Sequence, residues 1–246
     1  MHRFIVRRAD GFSPDETVEL PREEAQHAVK VLRLREGDRI ELLDGVGGAY
    51  AARIARADRD GASAVVCFRL PERESPVRLT LYMGLPKAEK LEFIAQKLTE
   101  LGAIKLAPVI MARSVSRPDG KDGDKRRERL ERIALEAAKQ CGRGYVPEMA
   151  APVSWKAALP AMAAHELMLV PWEEAGGLRL GDVHAAFPGA RDIALLIGPE
   201  GGIAPEEAHE AEAQGARLVT LGPRILRAET AAVASAAAVM ALWGDL

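Results

Sequence analysis

The chain has 246 residues, 48% of them hydrophobic and 28% charged, which is enough apolar material for one large or two modest cored domains. Its longest small-residue run, Ala231 to Leu242, is too short and too rich in Ala to span a bilayer, and Met1-His2-Arg3-Phe4 leads into no apolar secretion core, so a cytoplasmic protein with no membrane partner is expected. The net charge of -2 conceals an asymmetry: residues 73–143 carry 16 basic against 10 acidic side chains and residues 144–246 carry 6 against 13, so a polyanion-binding patch should draw on the middle of the chain.

Residues 1 to about 72 read as short strands separated by Gly-rich or Asp-Gly turns: Phe4–Arg7, Thr17–Leu20, Arg39–Asp44, Ala49–Ala57 and Ala62–Leu70. One helix, Pro21–Leu34, interrupts them, with proline at a position where a helix tolerates it. The pattern predicts a small β-barrel with one helix, in which His27 has packing and hydrogen-bond duties rather than catalytic ones. Cys67 and Cys141 are isolated and the five His are scattered, so no metal site is expected. Pro71–Pro76 (PERESP) breaks both periodicities and reads as the linker.

From Val77 the pattern becomes alternating α/β. A strand at Arg78–Leu85, a helix at Lys87–Leu101 and a strand at Ile104–Ile110 imply a parallel sheet with covered faces. Lys87, Lys90 and Lys97 flank the apolar stripe of that helix, where they either snorkel over the core edge or meet RNA phosphate. A polar loop between Arg113 and Asp124 precedes a helix at Asp124–Cys141. There Leu130, Ile133, Ala134, Ala137 and Cys141 form the apolar face, and Arg132, Lys139 and Arg143 fall nearly opposite as candidate RNA contacts.

Three further strands, Glu166–Pro171, Asp192–Gly198 and Arg217–Leu221, end at Val170, Ile197 and Leu221, and their loops are expected to form one rim, since ligands of open α/β sheets bind beyond the carboxyl ends of strands. After the second strand comes IGPEGG, then an amphipathic helix starting near Pro205. After the third comes LGPRILRAETA, then an Ala-rich helix from about Thr230 to Trp243, with Thr230 or Glu229 able to cap it and Arg227 just outside. Neither a dinucleotide-binding GxGxxG nor a phosphate-binding GK[ST] loop is present, and Glu200 puts a carboxylate where a phosphate cradle would want none. The loops suit a ligand without phosphates.

IGPEGG and LGPRILRAETA together resemble the C-terminal signatures of the RsmE family, 16S ribosomal RNA (uracil-N3)-methyltransferases of the knotted SPOUT superfamily. The resemblance extends to HRF near the start, HAVKVLRL at 27–34, KLTELG at 97–102, EAAKQCGR at 136–143 and the final WGDL. It implies a PUA-like RNA-binding β-barrel domain over 1–72 and a SPOUT methyltransferase domain with a deep trefoil knot over 73–246. It also implies a homodimer acting on 16S rRNA within the small ribosomal subunit, with S-adenosylmethionine as cofactor. Arg3, Arg7, Arg33 and Arg35 become candidate phosphate contacts of the barrel, and Gln140 and Arg143 gain weight.

The cofactor set under this resemblance is Val170, Pro171, Leu196, Gly198, Pro199, Glu200, Gly201, Leu221, Gly222, Ile225, Leu226, Arg227, Thr230 and Ala231. Glu200 is expected near the ribose hydroxyls or the cationic end, or else as a cap of the following helix. Uracil N3 is nucleophilic only once its proton leaves, which places negative charge on the flanking carbonyls. Arg227 is therefore the expected charge-stabilising catalytic residue, and Glu229 the proton acceptor unless it orients Arg227 or caps the helix. The alternatives are a ribose 2'-O or guanosine methyltransferase on the same scaffold, and a non-catalytic rRNA-binding assembly factor.

Overall fold

The computed structural model describes residues 1–114 and 120–246. They divide into two compact units. One comprises Met1–Glu74 with Leu135–Val146, and the other Ser75–Ala134 with Pro147–Leu246. The segment Leu135–Val146 is one that a contiguous division at 72/73 leaves in the second half.

The first unit is built on a five-stranded sheet in the order β1-β3-β4-β5-β2, with β1 at His2–Ile5, β2 at Thr17–Glu19, β3 at Arg39–Leu43, β4 at Ala49–Ala57 and β5 at Ala62–Arg69. The first pairing is parallel and the others antiparallel. Among the described residues no pairing of β1 with β2 closes the expected barrel. The two end strands are only four and three residues long, and the helical segment fills the core beside them. There Ala25 and Ala28 pack with Phe4, Phe12, Val18, Leu20, Ile40 and Ile54.

That helical segment is shorter and less regular than the expected Pro21–Leu34. Helix α1 covers Arg22–Gln26, with Pro21 as its N-cap, and a π-helical turn follows at His27–Val31. The turn closes with Leu34 N–H donating to Ala28 O (3.0 Å) while Arg33 adopts a φ of +54°, the left-handed conformation that ends helices, here without glycine. His27 sets its ring edge-on to Phe4, as its packing role requires.

Glu41, 7% exposed, is the ionic centre of this unit: its carboxylate accepts from Arg3 Nε (2.9 Å) and from Arg73 Nη1 and Nη2 (3.0 and 3.2 Å). The same guanidiniums donate to the carbonyls of Lys139 and Gln140 (Arg3) and Gly142 (Arg73). Burial pushes the Glu41 carboxyl up, but the hydrogen bonds and charges of Arg73 and Arg3 outweigh it and hold the group below its ordinary value. Glu41→Gln is therefore expected to destabilise this unit by about 1–3 kcal/mol at neutral pH, since it leaves two guanidiniums short of their anion. A lowered folded pKa means that the stability is fully present above the ordinary carboxyl value and is lost as pH falls through the folded one. The gap between wild type and variant in urea titrations should thus close on acidification; a gap equally wide at pH 3 would sink this account.

The second unit carries a sheet in the order β12-β10-β11-β6-β7-β8, with β9 also on β7 and every pairing parallel. Its strands are β6 (Arg78–Gly84), β7 (Lys105–Ile110), β8 (Glu148–Met149), β9 (Val153–Ser154), β10 (Leu167–Pro171), β11 (Asp192–Ile197) and β12 (Arg217–Val219). Runs such as LTLYM, LMLV and IALLI are buried throughout and almost wholly apolar because both faces of a parallel sheet are covered. On one face Tyr82, Met168, Val170, Ala194 and Leu196 meet Ala158 and Met162 of α4 (Trp155–Ala163) and Ala208 and Ala211 of α6 (Pro205–Ala213). Leu79, Leu81 and Met83 alternate to the other face. The last helix, α7 (Ala228–Trp243), packs against β6 and β11 and against α2 (Ala88–Glu100) and α5 (Leu180–Ala186).

Three departures from the sequence reading concern this part. Helix α3 starts at Gly120, ahead of the expected Asp124, and runs to Cys141; the loop expected before it falls partly on residues 115–119, outside the described residues. The expected elements omit β8, β9 and α4, where two-residue strands and an internal Pro160 leave little periodicity to read. They also omit α5, seven residues in a polar stretch.

Candidate active site

Because β12, β10 and β11 are parallel neighbours, the segments after them, 172–179, 198–204 and 220–227, lie side by side at the carboxyl edge of the sheet. They enclose a cleft with two adjoining lobes of about 580 and 330 Å³. Pro171, Glu173, Ile225, Leu226 and Ala231 line both. The larger lobe adds Trp172, Arg179, Thr220, Leu221, Gly222 and Arg224. The smaller adds Lys90, Gly198, Pro199, Glu200, Gly201, Gly202, Ile203 and Arg227.

The IGPEGG turn has the shape it has because backbone passes backbone there. A Cβ on Gly198 would lie 2.8 Å from Ile203 Cγ1 and 3.0 Å from the carbonyl carbon of Gly202. At Gly202, with φ +75°, a Cβ would lie 2.8 Å from Glu173 Oε1. Arg113 braces the turn from outside, donating from Nη1 to the carbonyls of Gly201 (3.2 Å) and Ile203 (3.4 Å).

Eleven of the fourteen expected cofactor residues line the cleft; Val170, Leu196 and Thr230 do not. Val170 and Leu196 are fully buried in the sheet core, one position short of the rim, because strand residues alternate between faces. Thr230 is exposed and lies in the first turn of α7, so it is no cap. The N-cap is Arg227, whose extended backbone (φ -64°, ψ 152°) starts the helix without any side-chain cap bond. Sequence reasoning missed Trp172, Glu173, Arg179, Thr220 and Arg224; their signal was only their position directly after strand ends or within the Arg-rich loop, and Arg179, at the N-cap of α5, had neither.

Glu200 does not cap the following helix, a role taken by Glu207, which accepts from Ala204 N–H (3.3 Å) with Pro205 opening the first turn. Its Oε1 instead accepts from the backbone N–H of Lys87 (3.1 Å), at the start of α2, and stands 3.5 Å from Lys90 Nζ. Burial raises its pKa, but the Lys87 amide and then its own backbone and Lys90 bring the net value below the ordinary one. Lys90 Nζ also lies 3.1 Å from Glu229 Oε2 and so ties the turn after β11 to the start of α7. Glu229 is held below its ordinary value, first by its own backbone amide and then by Lys90 and Arg227, against the cost of burial. A carboxylate so stabilised is ionised at neutral pH and a weak base, which favours an orienting duty over proton abstraction. The guanidinium of Arg227, by contrast, has no ion-pair partner among the described residues.

The candidate RNA contacts sort by unit. In the first, Arg7, Arg33 and Arg35 are exposed, while Arg3 is committed to Glu41 and two carbonyls. Lys139 is held at 2.9 Å by both Glu24 and Glu136. Arg143 was expected on an exposed face and is only 5% exposed, because the chain leaves the helix at Gly142 (φ +83°) and turns it onto Glu74 (Nε 2.9 Å, Nη2 2.8 Å). Gln140 is exposed. In the second unit Lys87 and Arg132 are exposed and Lys97 pairs with Glu100 at 2.9 Å. No cluster of ligands able to hold a metal ion occurs among the described residues.

The chain matches the RNA methyltransferase domain family over residues 73–240 and the RNA methyltransferase PUA domain family over residues 20–67. It is 35% identical to ribosomal RNA small subunit methyltransferase E of Bacillus subtilis over 230 residues, covering 91% of this chain and 89% of that protein. Its structure superposes on that of a ribosomal RNA small subunit methyltransferase E from Neisseria gonorrhoeae, solved bound to S-adenosyl methionine, with a TM-score of 0.88 and 33% identity, covering 100% of this chain and 99% of that one. A putative methyltransferase from Legionella pneumophila, solved in complex with the same cofactor, gives a TM-score of 0.87 at 31% identity, covering 99% and 98% of the two chains.

Proposed function

The chain belongs to the ribosomal RNA small subunit methyltransferase E family, and from that premise we propose that it transfers a methyl group from S-adenosylmethionine to N3 of a uridine in 16S rRNA. The observation that carries the reading is the cleft itself: two Gly-Pro loops, after β11 and β12, meet at the carboxyl edge of a parallel sheet and leave room bounded by apolar side chains and close-packed glycines. The fit to this cofactor is chemical. Pro171, Leu221, Ile225 and Leu226 offer apolar walls to an adenosine, Glu173 and Glu200 supply carboxylates, and neither loop carries a phosphate-binding GxGxxG or GK[ST] motif. Bound there, S-adenosylmethionine supplies an already activated methyl group.

The protein's own part is then to bind, orient and stabilise charge. Arg227 stabilises the negative charge that develops on the uracil carbonyls as the N3 proton passes to solvent water, and Glu229, through its pairing with Lys90, holds the first turn of α7 in place. N3 lies on the Watson–Crick edge, so the uridine must be unpaired or flipped out to reach the cleft. The domain roles follow the same reading, a PUA-like RNA-binding domain and a SPOUT methyltransferase domain. Arg7, Arg33, Lys87 and Arg132 have exposed side chains, without ion pairs among the described residues, suited to phosphate, each within its own unit.

A knotted C-terminal segment is supported by the path from the edge strand β12 back to α7, which packs on β11 and β6 in the middle of the sheet. A homodimer is supported by α7's second side, where Ala231, Ala234, Ala238 and Ala241 follow helical spacing, carry no charge and stay at least partly exposed. Light scattering on the purified protein should give twice the mass of the chain, and a monomer would remove this part of the reading. No described helix is long and apolar enough to cross a membrane, which accords with action in the cytoplasm.

The test is methyl transfer from labelled S-adenosylmethionine to small ribosomal subunits and to free 16S rRNA, with the nucleosides of the product separated by mass spectrometry. 3-Methyluridine is the expected product. A ribose-methylated nucleoside or a methylguanosine would replace the acceptor while keeping the enzyme class, and neither cofactor binding nor transfer would leave only an RNA-binding factor.

A further inference from the structure

We infer that Glu173 selects the cofactor by charge: its carboxylate, at the junction of the two lobes, faces the cationic part of the methyl donor. The inference rests on the cofactor assignment just proposed and goes beyond it to a residue that neither loop signature contains. Two carboxylates line the cleft and a third, Glu229, stands beside it. Two of the three already face a lysine. Glu200 accepts from the Lys87 amide and stands near Lys90, and Glu229 pairs with the same Lys90. Glu173 makes no hydrogen bond or ion pair among the described residues, although it lines both lobes. Arg113 lies near the same glycine turn and donates from Nη1 to the carbonyls of Gly201 and Ile203, but no Arg113–Glu173 ion pair occurs among the described residues.

The position of the carboxylate is defined from two sides. Glu173 follows the end of β10, and its Oε1 reaches the Gly202 turn closely enough that a side chain at 202 would stand within 2.8 Å of it. Gly202 thus leaves open the space the carboxylate occupies. Trp172 beside it is 7% exposed and lines the larger lobe, and its indole N–H is buried without a partner among the described residues. Glu173 itself is exposed, so its carboxylate is held by water until the cleft fills. Filling the cleft strips water from Glu173, which costs free energy unless the ligand brings a positive charge. A neutral or anionic adenosine compound pays that cost uncompensated, and a cationic one does not.

Two centres on the donor are positive, the sulfonium and the α-ammonium, and the test separates them. Calorimetry would compare wild type with Glu173→Gln, which keeps size and removes charge, for S-adenosylmethionine, S-adenosylhomocysteine and 5'-methylthioadenosine. The second ligand lacks the sulfonium charge and the third lacks both. A loss of about tenfold or more for S-adenosylmethionine alone assigns Glu173 to the sulfonium, while the same loss for the first two with none for the third assigns it to the ammonium. Equal weakening of all three would mean a merely structural role, and no weakening of any would mean no role; either overturns the inference. Glu174→Gln, one residue on and outside the cleft lining, should bind all three like wild type. Failure of wild type itself to bind S-adenosylmethionine would instead strike the cofactor assignment, so the two failures are distinguishable.

Discussion

Arg227→Ala is expected to lower the turnover of methyl transfer by about 10²–10³, the range seen when one preorganised donor to a developing oxyanion is removed. Affinity for S-adenosylmethionine should change by less than about threefold, because an interaction made only in the transition state leaves ground-state binding alone. The structure makes this a clean experiment. Arg227 occupies the N-cap of α7 with its backbone only, so an alanine there removes no capping bond. The side chain is exposed at the edge of the smaller lobe and has no ion-pair partner among the described residues, so its loss orphans no buried charge. Its neighbour Glu229 stays paired with Lys90. Arg227→Lys keeps the charge without the planar fork and should recover part of the rate. Single-turnover kinetics with saturating cofactor would read the effect. Unchanged turnover would remove Arg227 from the chemistry, and a loss of cofactor affinity proportional to the loss of rate would make it a binding residue.

The cleft was legible in the sequence wherever apolar runs ended in glycine and proline. IALLI before GPEGG and RLV before the Pro- and Arg-containing loop mark strand ends by periodicity, and the parallel sheet then places both loops on one edge. What periodicity does not encode is which neighbour a charge chooses. Glu200 was expected to meet a ligand or cap the next helix, and it binds the start of α2, 113 positions earlier, a partner visible only once β6 and β11 are paired. Arg143 carried a basic pattern and a helical phase, but Gly142 ends the helix just before it and Glu74 is 69 positions away. Val170 and Leu196 show the same limit at shorter range: a shift of one residue along a strand exchanges the rim for the core. The divided first unit is the largest case, since nothing local in the α3 sequence separates Ala134 from Leu135.

Gly198→Ala should weaken S-adenosylmethionine binding by about 1–3 kcal/mol, or roughly 5- to 150-fold, with the sheet intact. The added methyl has nowhere to go. It would stand 2.8 Å from Ile203 Cγ1, which can yield by rotating, but also 3.0 Å from backbone atoms of Gly202 and Ile203, which can yield only if the turn opens. Opening the turn displaces Glu200 from the Lys87 amide and Lys90, and with it the wall shared by the cleft. Gly201→Ala meets the side-chain base and carbonyl of Arg113 at 3.0 and 3.2 Å, a contact on the outer side of the turn that can relax outward, so its effect should be the smaller of the two. The order of the pair is what the geometry dictates. Calorimetric titration of both variants, with thermal melts to show that the fold survives, would measure it. Equal, negligible effects would mean that the turn adapts freely and that the close approach at Gly198 does not shape the cofactor site.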